Sequence, residues 1–256
     1  MIDSRAVVSP QADIAPNAEV GPFSIIGPEV TIGPGTWIGP HVVINGPTRI
    51  GADNKIFQFA SLGDAPQDKK YKGEPTRLEI GNRNVIREFV TVNRGTVHGD
   101  GVTRIGDDNL LMAYSHVAHD CRLGNQIVLS NVATLGGHVE IGDFAILGGL
   151  SAVHQFTKVG TYCFIANNAA VTRDVPPYVL AVGQPAEPHS VNSVGLKRRG
   201  FTDEQILNVR RAYRLLYRSG LKLKTALEEL DKAAVTQAEI RPFVDFIRRS
   251  SRSIVR

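Results

Sequence analysis

An aliphatic residue recurs at every sixth position from Val8 to Leu62, through Ile14, Val20, Ile26, Ile32, Ile38, Ile44, Ile50 and Ile56. The pattern returns at Ile80, Ile86 and Val92, and then runs unbroken from Ile105 to Val171. Neither the 3.6-residue helix period nor the two-residue strand period produces it. A strict six-residue repeat specifies a hexapeptide β-helix, whose short strands wind into a triangular prism. Residues two before the aliphatic are mostly small or β-branched, as at Ala18, Ser24, Thr36, Ala60, Ser115, Cys121, Ala133 and Ala145. Side chains two apart in a strand share a face, so large and small inward residues alternate and fill a narrow core. The glycines that follow many of the aliphatics, such as Gly21, Gly33 and Gly124, read as corners needing unusual dihedrals. Three hexads make one coil, so positions eighteen apart should stack at about 4.8 Å.

Such prisms resemble the left-handed parallel β-helix family, and the handedness comes from that resemblance. The expected architecture is mainly β: a β-helix over residues 1–190, followed by a small α-helical domain over 191–256. In the second part Thr202 and Gln205 form a capping-box signature, ahead of Ile206, Val209, Tyr213 and Leu216 at helical spacing. Further helices are expected over 225–234 and 238–249, with Pro242 near a helix start. Residues 196–256 hold 15 Lys/Arg against 7 Asp/Glu, whereas the rest of the chain holds 14 against 18. This concentration of positive charge suggests an acidic partner, and Arg210, Arg211, Arg214 and Arg218 are the candidates for contacting it; a solvated helix face is the alternative. No apolar run is long enough to span a membrane, and no signal peptide is visible. Cys121 and Cys163 fall at inward positions and read as reduced thiols, so a cytoplasmic location is expected.

The breaks in the repeat point to a site. One insertion runs from Gly63 to Glu79 after Leu62, and another from Asn93 to Arg104 after Val92. Counting in coils puts Leu62, Val92, Val117, Leu135 and Val153 in one column, so both loops leave the same corner. That corner also carries His119, His138, His154 and Gln155. Loops on a rigid repeat are where function concentrates. His119 beside Asp120 suits a general base, provided the corner geometry lets adjacent residues touch. Three histidines on one edge could alternatively bind zinc, as in metal-dependent carbonic anhydrases built on such prisms. A non-catalytic prism is the other alternative, but it would have uninterrupted faces.

Several segments resemble UDP-N-acetylglucosamine O-acyltransferases, which catalyse the first step of lipid A synthesis. They are His116–Cys121 (HVAHDC), Gly137-His138, Ala152–Phe156 (AVHQF), Asp174–Tyr178 (DVPPY), Gly195–Phe201 (GLKRRGF) and Gln67–Arg77. The likeness spans essentially the full length. It implies transfer of a 3-hydroxyacyl chain from acyl carrier protein to the 3-hydroxyl of UDP-N-acetylglucosamine, with no cofactor or metal, by a homotrimer with sites between prisms. It implies His119 as general base, Asp120 as its orienting partner and the Gly137 amide as oxyanion donor. Asp68, Lys70, His116, His138, His154 and Gln155 would position substrate, and Asn192, Arg198 and Arg199 would contact the nucleotide. Asn167 occupies the position that limits acyl length. Asn93 stands where the family usually has histidine, and Val194 where a glutamate is common. A related N-acyltransferase, or a 3-amino sugar nucleotide as acceptor, remains an alternative.

Overall fold

The computed structural model describes residues 1–256. Three sheets of two- to five-residue strands, parallel except for the last pair of the third, form the faces of the prism. The first sheet holds nine strands from Val7–Val8 to Ala170–Val171, and the second holds eight from Asp13–Ile14 to Lys158–Val159. The third holds ten and ends in an antiparallel pair, Val179–Val182 with Glu187–Val191. The register is the eighteen-residue one away from the insertions, with Val117 opposite Leu135 and Leu135 opposite Val153. This is a left-handed parallel β-helix with a helical C-terminal part. Every hexad aliphatic from Val20 to Val171 is buried, each worth roughly 1.5–3 kcal/mol relative to exposure.

Two details differ from expectation. Apart from Gly63, where the first insertion begins, the glycines after the aliphatics do not adopt positive φ; that conformation falls two residues later, at Phe23, His41, Asp120, His138, Phe156 and others. Glycine is required by close approach instead, since a Cβ on Gly33 would lie 2.6 Å from the carbonyl of Gly51 on the next coil. The inward small position also admits asparagine, because stacked amides satisfy one another. Asn54 Oδ1 accepts from the Asn84 amide at 2.9 Å, Asn84 Oδ1 accepts from Asn109 at 2.9 Å, and Asn109 Oδ1 accepts from Ile127 at 2.8 Å. All three side chains are buried, where an unpaired amide would be costly. Cys121 and Cys163 are free and buried, and burial pushes both thiols up to about 12.

The helices are α1 (Ser193–Arg198), α2 (Asp203–Arg218), α3 (Leu223–Ala233) and α4 (Arg241–Arg249). The capping box at α2 forms, with Thr202 Oγ1 accepting from Gln205 N and Gln205 Oε1 from Thr202 N. Tyr213 on α2 donates to the Pro188 carbonyl at 3.0 Å, tying the helices to the terminal hairpin. The last expected helix splits: Ala238–Ile240 is a 3-10 turn and α4 follows. Pro242 has no N–H to donate to the Ala238 carbonyl, so a continuous α-helix from 238 would lack that bond. The C-terminal residues return to the prism, where buried Asp174 accepts from Ser250 Oγ and Lys158 N and pairs with Ile254. No helix is long and apolar enough to cross a membrane.

Candidate active site

The edge between the first and second sheets carries Asp120, His138 and Phe156 on successive coils, all at φ near +60°. This left-handed corner turns Asp120 back beside its neighbour, so His119 Nδ1 lies 2.9 Å from Asp120 Oδ2. A carboxylate only accepts, so the proton sits on Nδ1 and Nε2 is the basic nitrogen. The carboxylate is buried and held from the second insertion. Thr96 N donates to both oxygens at 3.0 and 3.1 Å, Thr96 Oγ1 donates at 2.7 Å, and the Asp120 amide donates to Thr103 Oγ1 at 2.8 Å. Burial disfavours the Asp120 charge, but the bonds from His119 and Thr96 together outweigh it and hold the carboxyl below the usual range.

His138 stacks on Phe156 at 4.4 Å and meets His119 edge-on at 5.2 Å, with its Nε2 3.6 Å from Asp120. Burial pushes His138 down despite the Asp120 charge, which favours a neutral ring at neutral pH. His116 accepts or donates at Thr91 Oγ1 over 2.7 Å, and burial followed by the His119 charge lowers its pKa as well. Gly137 lies directly behind the imidazole: a Cβ there would be 2.5 Å from His119 Cε1 and 2.7 Å from Nε2. At a neighbouring edge, corner amides are capped by an Asn or Asp eighteen residues on, as Asn125 N is by Asp143 at 2.7 Å. The corresponding position for Gly137 is Gln155, one methylene longer, and the Gly137 N–H has no acceptor in the chain. An N–H without an acceptor, on a buried glycine packed against the imidazole, is a donor available to a developing oxyanion.

A cavity of about 560 Å³ opens onto this edge, lined by Asp68, Lys70, His98, His119, His138 and Gln155 among others. The structure therefore brings Asp68 and Lys70 of the first insertion to the His119–His138 edge, as their shared corner required. Asp68 Oδ1 caps the Lys70 amide at 2.9 Å, which shapes the loop tip. His98, Phe156, Thr96 and Thr103 escaped notice in the sequence. The eighteen-residue step from His138 pointed to Phe156, but the residues inside an insertion have no phase to read. His154 is exposed and its Nδ1 bonds to the Gln155 carbonyl at 3.0 Å, so it lies outside the close group that His119 forms with Asp120 and His138. The group of possible metal ligands is accordingly His119, Asp120 and His138. In it, Asp120 Oδ2 already accepts from Thr96 and His119, donors a cation would have to displace.

The remaining candidates lie elsewhere on the chain. Asn192 caps α1 through Gly195 N and donates to the Tyr162 carbonyl at 3.0 Å. Arg199 reaches Gln126 Oε1 at 2.7 Å and lies over Phe144, on the edge between the second and third sheets. Arg198 and exposed Val194 line a separate cavity on the helices. Asn167 sits on the third edge, where its Oδ1 accepts from Gly149 N. Asn93 is buried and donates to the Ala65 carbonyl. Arg210, Arg214 and Arg218 line one groove with His189 and Tyr213. Arg211 departs from that stripe toward Asn208, since one residue is about 100° of helix.

Comparison with known proteins agrees with this reading. Residues 174–255 match the family described as Udp N-acetylglucosamine O-acyltransferase, Domain 2. An acyl-[acyl-carrier-protein]–UDP-N-acetylglucosamine O-acyltransferase of Halorhodospira halophila is 56% identical over 211 residues, 82% of this chain and 82% of the relative. The solved UDP-N-acetylglucosamine acyltransferase of Francisella novicida superposes with a TM-score of 0.99 at 45% identity, over 100% of this chain and 94% of that one. The Arabidopsis enzyme superposes at 0.87 with 32% identity, over 100% and 99%. With this identity, this coverage and the same fold throughout, the chain belongs to the UDP-N-acetylglucosamine O-acyltransferase family.

Proposed function

We propose that this chain transfers a 3-hydroxyacyl group from acyl carrier protein to the glucosamine 3-hydroxyl of UDP-N-acetylglucosamine, the first step of lipid A biosynthesis, with His119 as general base. The observation that carries the mechanism is the His119–Asp120 pair packed against Gly137, whose amide has no acceptor in the chain. His119 Nε2 takes the hydroxyl proton as the sugar oxygen bonds to the thioester carbonyl carbon. The oxyanion that forms is met by the Gly137 N–H. Collapse breaks the C–S bond, and the imidazolium returns its proton to the leaving thiolate. Asp120 holds the tautomer and stabilises the imidazolium. Asp68, Lys70, His138 and Gln155 position substrate from the same cavity, and His116 and His154 are assigned the same role. Mass spectrometry of the product formed from UDP-N-acetylglucosamine and carrier proteins of different hydroxyacyl lengths tests this directly. An ester at the 3-position supports it. No product, or an amide formed only with a 3-amino acceptor, overturns it.

The outer surface supports a homotrimer in which each site is shared. The edge between the third and first sheets exposes Phe23, Phe59, Phe89, Tyr114, Val132 and Leu150, its rings stacked 4.7–5.4 Å apart through His41. The adjoining outer face of the third sheet carries Val85, Leu110, Val128, Ile146 and Phe164, whereas the second sheet carries Arg104, Arg122, Glu140 and Lys158. Gathering three apolar edges on one axis buries them. It also sets the His119 edge of each copy beside the Arg199 edge of the next, uniting residues that one chain holds apart, with Asn167 near the axis at the closed end of an acyl groove. Co-expressed His119→Ala and Arg199→Ala chains are then expected to recover about a quarter of the sites, by random mixing around a cyclic assembly. Mixed trimers as inactive as the separate variants would place each site within one copy.

The groove of Arg210, Arg214 and Arg218 fits the acidic carrier protein. Reversing these three charges should raise KM for the acylated carrier by about 10–100-fold, scaled from exposed charge pairs of 0.2–1 kcal/mol each, with KM for the sugar nucleotide unchanged. An unchanged carrier KM in steady-state assays returns these arginines to a solvated face.

A further inference from the structure

The first four residues of the second insertion, Asn93–Thr96, are largely buried and reach both the first insertion and the Asp120 carboxylate. Asn93 Nδ2 donates to the Ala65 carbonyl at 3.1 Å, and the Arg94 amide donates to the Asp64 carbonyl at 3.1 Å. The Arg94 guanidinium then gathers the first insertion: Nη1 donates to the carbonyls of Gly46 and Gly63 at 2.8 and 3.2 Å, and Nε donates to the Tyr71 hydroxyl at 3.0 Å. Its Cζ stands 5.6 Å from the Tyr71 ring. Tyr71 in turn donates to the Glu74 carbonyl at 2.8 Å, closing the loop that carries Asp68 and Lys70. Two residues on, Thr96 is 1% exposed and gives the Asp120 carboxylate its hydroxyl and its amide. Beyond it, a Cβ on Gly99 would lie 2.5 Å from Asp120 Cγ and 3.0 Å from His138 Cε1, so the loop closes on the carboxylate with no room to spare.

We propose that Asn93–Thr96 is a positioning bridge in which Arg94 sets the substrate loop bearing Asp68 and Lys70 while Thr96 sets the carboxylate that orients His119. The proposal rests on the acyltransferase reading for its kinetic consequences, but its geometry stands apart from that reading. Neither Arg94 nor Thr96 lines the His119 cavity; they act through the loop bearing Lys70 and through Asp120. Their effects should therefore separate. A guanidinium satisfies two carbonyls and a phenol at once, which a lysine ammonium at the end of a flexible stem does not reproduce. A valine at position 96 matches the shape of threonine without the hydroxyl donor.

In steady-state assays with trimer assembly verified, Arg94→Lys should raise KM for UDP-N-acetylglucosamine about tenfold and leave kcat within about threefold, because only the substrate loop loosens. Thr96→Val should lower kcat about tenfold with that KM within about twofold, and Thr96→Ser, which keeps the donor, should restore kcat to within about threefold of the parent. Equal losses in Thr96→Val and Thr96→Ser, or an Arg94→Lys variant that loses kcat with no change in KM, would overturn the bridge. A second measurement needs no turnover: the downfield Nδ1–H proton resonance of 15N-histidine-labelled protein, assigned by its loss in His119→Ala. It should move in Thr96→Val and stay in Thr96→Ser. A parent protein that makes no acylated sugar nucleotide but shows this pattern refutes the acyltransferase reading alone. An unmoved resonance in Thr96→Val refutes the bridge alone.

Discussion

His119→Ala is expected to lose at least about 10²–10⁴-fold in kcat while the fold survives, the range over which a positioned general base accelerates proton transfer. On the proposed mechanism the loss should fall on kcat, because Nε2 would take the proton only as the sugar oxygen attacks. The scaffold should tolerate the change. His119 projects from a corner with its side chain 14% exposed, while the aliphatic Val117 column that holds the coil is untouched. Asp120 keeps both Thr96 donors after the imidazole is gone, so the carboxylate is not left bare. The check is turnover of the purified variant beside its circular dichroism spectrum. A folded His119→Ala enzyme with near-normal turnover would falsify the assignment of the base.

Gly137→Ala tests the other half of the site with a single methyl group. Its backbone is outside the positive-φ set, so alanine meets no dihedral penalty there. What it meets is the imidazole, 2.5 Å away at Cε1 and 2.7 Å at Nε2. Ordinary carbon contacts begin near 3.5 Å, so the ring must move by about 1 Å, and a displacement of that size costs about 10²-fold when the reacting atoms are aligned by it. The Gly137 N–H remains, but no longer faces a base in register with it. We expect kcat to fall about 10²-fold with thermal stability nearly unchanged. Gly136→Ala cannot serve as a control, since a Cβ there would sit 2.8 Å from the Gln155 amide nitrogen. Activity in Gly137→Ala equal to that of the parent protein would show that the ring is not held against Gly137.

Much of the site was legible because the repeat works as a ruler. A residue's number modulo the coil gives its edge, and both insertions, His119 and His138 fell on one edge by counting alone. The ruler measures position along the prism and is blind to side-chain direction, so it placed His154 with its neighbours although its imidazole turns to the Gln155 carbonyl. It also stops at Gly63 and Asn93, where the phase is lost. Thr96 and Arg94 bind the site together through hydrogen bonds whose partners lie 23 residues or more away, and no local pattern marks such residues. The glycines show a third limit: their spacing was visible, but only the packed coils reveal that close approach, and not positive φ, demands them.

The sequence by itself determined the prism, its register, the helical end and the corner at which chemistry gathers. Each of these follows from a period that only one packing of aliphatic side chains satisfies. The tertiary structure alone decided that His119 meets Asp120, because that contact depends on a left-handed corner residue turning back on its neighbour. It alone decided that the carboxylate is clamped by Thr96 and that the Gly137 amide is left without an acceptor. Hexads specify which residues stack, whereas hydrogen-bond geometry at a corner depends on loops whose closure no period encodes.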